Sequence, residues 1–214
     1  SMDIFKGENK AKREKTRLSD NILVIKNRLT KIPDRVTKIE TYPTALKKGT
    51  VPLTRENIET TFKKFLTEHK KVFGVESKNL KLITAKNIDN KWYVKYGQYY
   101  KGIPVHDTTI SLESSEDGQV STYAANYQPD IDVPTEPKIS LEEAVAAAKK
   151  TYAKKDAKKL EHKEETLLIY PENLEDSVTY HLAWKFLLAG EQPEPELEQY
   201  FIVDAMDGRI IRSY

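Results

Sequence analysis

Four histidines, His69, His106, His162 and His181, are the side chains of this sequence best suited to bind a metal or carry a proton near neutral pH. Their spacing assembles nothing. No H-E-x-x-H occurs, and no two of them stand at the i, i+4 interval that puts two imidazoles on one helix face. Single polar or half-buried histidines are the expectation. The sequence has no cysteine, which removes disulfides, iron–sulfur clusters, thiol catalysis and Cys-ligated zinc. G-x-S-x-G, a phosphate loop and the dinucleotide fingerprint are missing too. Asp117-Gly118 and Asp207-Gly208 lack the alternating Asp/Asn ligands of a calcium loop and read as hairpin turns. Glu191, Glu194, Glu196 and Glu198, interleaved with Pro193 and Pro195, read as a solvated acidic tip between two strands. The run from Trp92 to Tyr100 has the aromatic surface to stack bases or sugars. However, only Lys91, Lys95 and Lys101 interleave it, too few to track a nucleic-acid backbone, so core and cross-strand packing is expected. No catalytic residue, metal site, cofactor or nucleic-acid partner is expected.

The elements that must position these residues follow from patterning. The chain has 214 residues, enough for one large domain or two small ones. No run of 18 apolar residues occurs, which excludes a transmembrane helix within it. Residues 1–50 carry thirteen Lys/Arg against six Asp/Glu, a charge of +7 that leaves −5 for the rest of a chain of net charge +2. This basic arm is expected to be partly disordered, fraying from Lys6 to Arg17. Ile22-Leu23-Val24-Ile25 fits the start of a helix or a short strand, and periodicity does not decide. Thr54 reads as the N-cap of a helix whose inner face is Ile58, Phe62, Phe65, Leu66 and Phe73, with Gly74 just past its end. Alternation then predicts a strand at Leu80, Leu82 and Thr84, a turn at Asp89-Asn90, and a strand at Trp92, Val94, Tyr96, Gln98 and Tyr100. Gly102-Ile103-Pro104-Val105 reads as a bend or edge feature, and residues 108–113 and 119–125 as a hairpin.

Pro129, Pro134 and Pro137 mark residues 128–137 as an extended linker. Ser140 and Glu143 then form a capping box ahead of Leu141, Ala144, Val145 and Ala148. Strands are expected at Thr166–Ile169, Val178–Leu188, Tyr200–Ala205 and Arg209–Tyr214. The second half thus repeats the plan of the first. The fold class is α+β: two units, each a helix packed on an antiparallel sheet, joined by a Pro-rich linker.

The segment "VKYGQYYKGIPVHDTTISLESSEDGQVSTYAANY" resembles the fungalysin/thermolysin propeptide motif. The residues that carry the likeness are Tyr96, Gln98, Tyr100, Gly102, Ile103, Pro104, Val105, Gly118 and Val120. His106-Asp107 departs from it, because the family more often has an aromatic and a small residue there. The helix before the motif, and a second unit running from "ISLEEAVAAAKKTY" to "QYFIVDAMDGRII", resemble the family's preceding helix and its following PepSY domain.

The resemblance implies two cystatin-like units: a propeptide-like unit over 51–127 and a PepSY-like unit over 138–214. It also implies the pro-region of a secreted, zinc-dependent thermolysin-like metalloprotease, which inhibits the catalytic domain and assists its folding. The partner would be that cognate catalytic domain, and the chain itself a non-catalytic monomer, secreted or at the cell surface, its signal peptide removed. Ser1-Met2 reads as a cloning remnant. Tyr96, Gln98, Tyr100, Gly102, Pro104, Val105 and Gly118 are expected to be mainly structural. The strand Ile210, Ile211, Arg212, Ser213 and Tyr214 is the expected protease contact. The competing class is a stand-alone binding module, an inhibitor in trans or an adhesion module with no attached protease.

Overall fold

The computed structural model describes residues 13–19, 22–27, 29–37, 52–152, 154–190 and 198–214. Lys6, Lys10 and Lys12 of the basic arm, and the acidic tip at Glu191, Glu194 and Glu196, lie outside the described residues. The chain divides into two compact units: Ser1–Tyr99 with Asp107–Asp130, and Tyr100–His106 with Ile131–Tyr214.

The first unit opens with three strands, β1 (Arg13–Ser19), β2 (Ile22–Asn27) and β3 (Pro33–Thr37). Ile22–Ile25 is therefore strand, and Arg13–Arg17, expected to fray, is paired to β2. The signal is missing locally because β3 takes its other partner from far along the chain, with Val36 opposite Tyr123. Helix α1 (Ile58–Glu68) and the short α2 (Lys70–Phe73) follow. The expected inner face is observed: Ile58, Phe62, Phe65, Leu66 and Phe73 are all buried. The cap is not Thr54 but Asn57, whose Oδ1 accepts from the Thr54 amide at 2.8 Å, so the helix starts one turn later. Strands β4 (Leu80–Ile88) and β5 (Lys91–Tyr100) meet at the Asp89-Asn90 turn. After the two-residue β6 (Ile103–Pro104) come β7 (Ile110–Ser115) and β8 (Val120–Ala125), joined through Asp117-Gly118. The antiparallel order in this unit is β1-β2-β3-β8-β7-β5-β4. Its core sets the helix phenylalanines against Val94, Tyr96, Leu112 and Tyr123, with the Phe73 and Tyr123 rings 4.6 Å apart.

In the second unit α3 (Leu141–Lys149) is closed by the predicted capping box. Ser140 Oγ accepts from the Glu143 amide at 3.2 Å, and the Glu143 carboxylate accepts from the Ser140 amide at 2.7 Å. A short helix α4 (Lys154–Ala157) leads into β9 (Leu160–Asn173), β10 (Val178–Gly190), β11 (Glu198–Asp204) and β12 (Ile210–Ser213), ordered β12-β11-β10-β9 and antiparallel throughout. β9 is longer than Thr166–Ile169 because its first residues, rich in Lys and Glu, pair with the end of β10 and carry no apolar alternation. Ala144, Val145 and Ala148 pack on Phe186, Leu188, Phe201 and Val203. The opposite face is also apolar, with Leu168, Tyr170, Ala183 and Ile202 buried there. The protein is thus α+β with two antiparallel sheets. No helix among the described residues is long and apolar enough to cross a membrane.

The chain passes from the first unit to the second at Asp130–Ile131, within the expected linker 128–137, and also makes an earlier excursion that patterning did not show. Tyr100–His106 goes with the second unit, where Val105, 4% exposed, is buried with Ile169, Leu182 and Ala205. The His106 amide donates to the Ile169 carbonyl at 2.8 Å. Ile131 and Val133, from the expected linker, pack against the same cluster. These side chains are apolar and bury where a covering cluster exists.

Two glycines test this packing. Gly74 sits at φ 70, and a Cβ there would stand 2.7 Å from Ile32 Cγ2; Gly102 sits at φ 87 with open space around it. Left-handed backbone costs an L-residue about 1 to 2 kcal/mol. Gly102→Ala should lose about that much, and Gly74→Ala measurably more, because Ile32 must also move. Paired thermal melts check the order; equal losses contradict the Ile32 contact.

Candidate functional site

The alternating strand β5 sends three side chains to three destinations. Tyr96 is fully buried under α1, and its hydroxyl donates to the Glu59 carbonyl at 3.2 Å. Burial, helped by the nearby Glu59 carboxylate, pushes its phenol far above the usual tyrosine range. Gln98, 2% exposed, clamps one peptide segment from both sides. Its Nε2 donates to the Gln128 carbonyl at 2.6 Å, and its Oε1 accepts from the Gln128 amide at 2.8 Å. Tyr100, half-buried, packs with Ile103 and Val105 in the second unit. Pro104 lies in β6 beside them, and Gly118 holds the β7–β8 turn, its amide donating to the Ser115 carbonyl at 3.0 Å. His106 stacks on Tyr170 with ring centroids 5.3 Å apart. The Asp107 carbonyl accepts from Asn126 Nδ2 at 2.6 Å.

The C-terminal strand β12 is the edge of the second sheet. It divides in two. Ile210 packs on the helix side and Ile211 against the cluster on the other face, so both are anchors. Arg212, Ser213 and Tyr214 are exposed. The Tyr214 ring, 48% exposed, stacks on Tyr200 at 5.5 Å, with Arg212 over Tyr214 at 5.2 Å and Lys185 over Tyr200 at 4.9 Å. The Tyr200 hydroxyl donates to the Glu164 carboxylate.

The four histidines take four separate places. His69 lies among Phe65 and Phe73, His106 on Tyr170, and His162 against Glu165 at 2.6 Å. His181 stands between two carboxylates, with Nδ1 2.9 Å from Asp204 and Nε2 2.7 Å from Glu172. Arg209 reaches Glu172 at 2.9 Å. Patterning missed this network, because its four members come from three strands and a turn and each is unremarkable in its own segment. Among the described residues no group of three or more His, Asp or Glu is arranged to hold a metal ion.

Residues 91–127 match the Fungalysin/Thermolysin Propeptide Motif. The chain carries that propeptide motif. A bacillolysin from Brevibacillus brevis is 29% identical over 136 residues, covering 60% of this chain and 25% of that protein. The chain therefore spans about a quarter of that relative's length. The C-terminal domain of Bacillus megaterium YpeB is 18% identical, superposing over 94% of this chain and 87% of that one with a TM-score of 0.39. The chain resembles the propeptide of a thermolysin-like protease. The propeptide motif begins at β5 and ends at Tyr127, one residue before Gln128, whose backbone Gln98 clamps.

Two outcomes follow from this geometry. Gln98→Leu strands the Gln128 amide and carbonyl, and should destabilise the protein by about 2 kcal/mol or more, read from urea unfolding. A loss near zero contradicts the clamp. The second outcome concerns acid. The Arg209 guanidinium beside Glu172 holds that carboxyl below the ordinary carboxylate range. A depressed folded-state pKa gives stability that is present above the unfolded pKa and lost as pH falls through the folded one. Arg209→Gln should therefore lower stability at neutral pH, with the gap from wild type closing as the carboxylate protonates. Urea titrations across the acid range check this; a gap unchanged by acid contradicts it.

Proposed function

We propose that this chain is the non-catalytic pro-region of a secreted, thermolysin-like zinc metalloprotease, and that it holds the catalytic domain inactive and assists its folding. The observation that carries the reading is the match of residues 91–127 to the propeptide motif. The bacillolysin relative supports it: this chain is similar to a quarter of such a protein, which leaves the larger part for other domains. We read the two units as cystatin-like, since each sets a main helix on an antiparallel sheet. In this reading the basic residues 1–50 add β1–β3 to the sheet of the propeptide-like unit 51–127, less its excursion at Tyr100–His106, with 128–137 the connector and 138–214 the PepSY-like unit.

The mechanism asks two things of the chain. It must present a preformed surface to the catalytic domain, and two sheets with packed cores supply rigid ones. It must also act from a tether, which raises the effective concentration of inhibitor to about millimolar. The same complementary surface lowers the barrier to the partner's native state, which is the folding role. Arg212, Ser213 and Tyr214 are the contact residues in this reading, and Ile210 and Ile211 hold the strand that presents them.

Added in trans, the folded chain should inhibit its cognate metalloprotease at micromolar concentration and leave unrelated serine proteases active. Tyr214→Ala should keep its stability within about 0.5 kcal/mol, as an exposed truncation does. If Tyr214 anchors the interface, affinity falls about thirtyfold, the equivalent of 2 kcal/mol. A cognate protease left fully active by the intact chain points instead to a stand-alone binding module.

A further inference from the structure

The sheet face of the first unit that α1 does not cover carries a second set of side chains from the propeptide motif. The register sets Lys86 beside Tyr93 and Tyr93 beside Glu113. One step along the strands, Lys95 lies beside Ser111 and Ser111 beside Ala124. These rows run across the strands and line a groove of about 310 Å3. Its floor at Ser111 and Ala124 is small, so a chain can come close to the backbone. Tyr93, 40% exposed, supplies an aromatic wall. Lys91 holds Glu113, the acidic member of the lining, at 3.1 Å. Lys86 and Lys95 have no carboxylate within ion-pair distance among the described residues. Beyond the groove β4 exposes Ile88 (51%) and Ile83 (58%). A face with this much exposed apolar surface and unneutralised positive charge is unusual for surface that meets only water.

We propose that this groove receives an acidic, extended segment of the protease catalytic domain, carboxylates toward Lys86 and Lys95 and apolar side chains against Tyr93. The inference rests on the proposed function and names the partner's chemistry. Charge decides the occupant. A second copy of this face would set lysine against lysine, whereas an acidic segment neutralises both ammonium groups and uses their apolar stems as walls. Docking is on the face rather than by strand addition, because Arg55 already donates to the outward Ala85 carbonyl of β4 at 2.6 Å.

The test uses the full chain and the cognate catalytic domain. Lys86→Glu/Lys95→Glu is compared with Lys150→Glu/Lys158→Glu, which changes net charge equally on the second unit. The groove pair should weaken inhibition about tenfold or more at low salt, the loss shrinking as salt screens it, while the control pair stays within about twofold. Tyr93→Ala should weaken inhibition independently of salt. Circular dichroism and thermal melts confirm that each variant is folded. Equal losses from both charge-reversed pairs reduce the effect to general steering and overturn the groove. If wild type and the groove variant inhibit alike, the groove falls and the proposed function stands. If wild type does not inhibit at all, both fall. A wild-type dimer in sedimentation that the groove variant abolishes assigns the face to a second copy and also overturns the proposal.

Discussion

One carboxamide fixes the two points at which the chain passes from the first unit to the second. Gln98 is the last core-facing residue of β5 before the chain joins the second unit at Tyr100. Gln128 lies just before the chain leaves again at Ile131. Both hydrogen-bonding ends of Gln98 are spent on the backbone N–H and C=O of Gln128, and the backbone amide of Gln98 itself donates to Thr108 Oγ1 at 3.4 Å. Buried amides tolerate few geometries, since any loss of register leaves a polar group stranded. The residue before Gln128 is held as well: Tyr127 is buried, with its hydroxyl 3.4 Å from both the Glu76 amide and Asn79 Nδ2. The Tyr-x-Gln-x-Tyr spacing follows from this. Three residues on one side of a strand are given in turn to the first core, to the clamp and to the second core, and a one-residue slip would misdirect all three.

The two sheets are covered differently, and that sorts their roles. In the first unit the helix covers one face while Ile83, Ile88 and Tyr93 are exposed. In the second, apolar residues are buried on both faces: Phe186, Leu188 and Val203 on one, Leu168, Ala183 and Ile202 on the other. A face already buried has nothing to offer a partner. What the second unit leaves exposed is the tip of its edge strand, where the stacked rings of Tyr214 and Tyr200 lie between the cations of Arg212 and Lys185. Such a stack keeps aromatic surface exposed without letting it collapse, because each ring is already engaged along one face.

What the sequence made legible was local. The α1 face, the Ser140–Glu143 box, the Asp89-Asn90 and Asp-Gly turns, and the β5 and β10 alternations each rest on neighbours a few residues apart, and they were found where the pattern put them. All the misses but one share a cause, a partner outside the local window. β3 is strand because of β8, and the charged start of β9 is strand because β10 extends beside it. Val105 is buried because Ile169 and Leu182 come to it. The exception is local: Thr54 and Asn57 both have the residue types of a cap and stand one turn apart, and Asn57 Oδ1 is taken by the Thr54 amide, so propensity does not separate them. The His181 network was invisible for the first reason: Glu172, His181, Asp204 and Arg209 have no shared spacing, and only the antiparallel register joins them.

This division bears on what the motif match means. Its signature residues Tyr96, Gln98 and Val105 are buried, Tyr100 is half-buried, and Gly102 and Gly118 are held for turn geometry. Their burial and turn backbone serve the architecture of the two units. The outward side chains Tyr93, Lys95 and Glu113 alternate with signature and core residues on the same strands and point the other way. A β-strand carries two messages at period two, one for its core and one for solvent. The buried message carries the likeness to the propeptide motif. In the proposed reading, the choice of protease depends on the alternate residues, where substitution leaves the fold intact and changes only the surface presented.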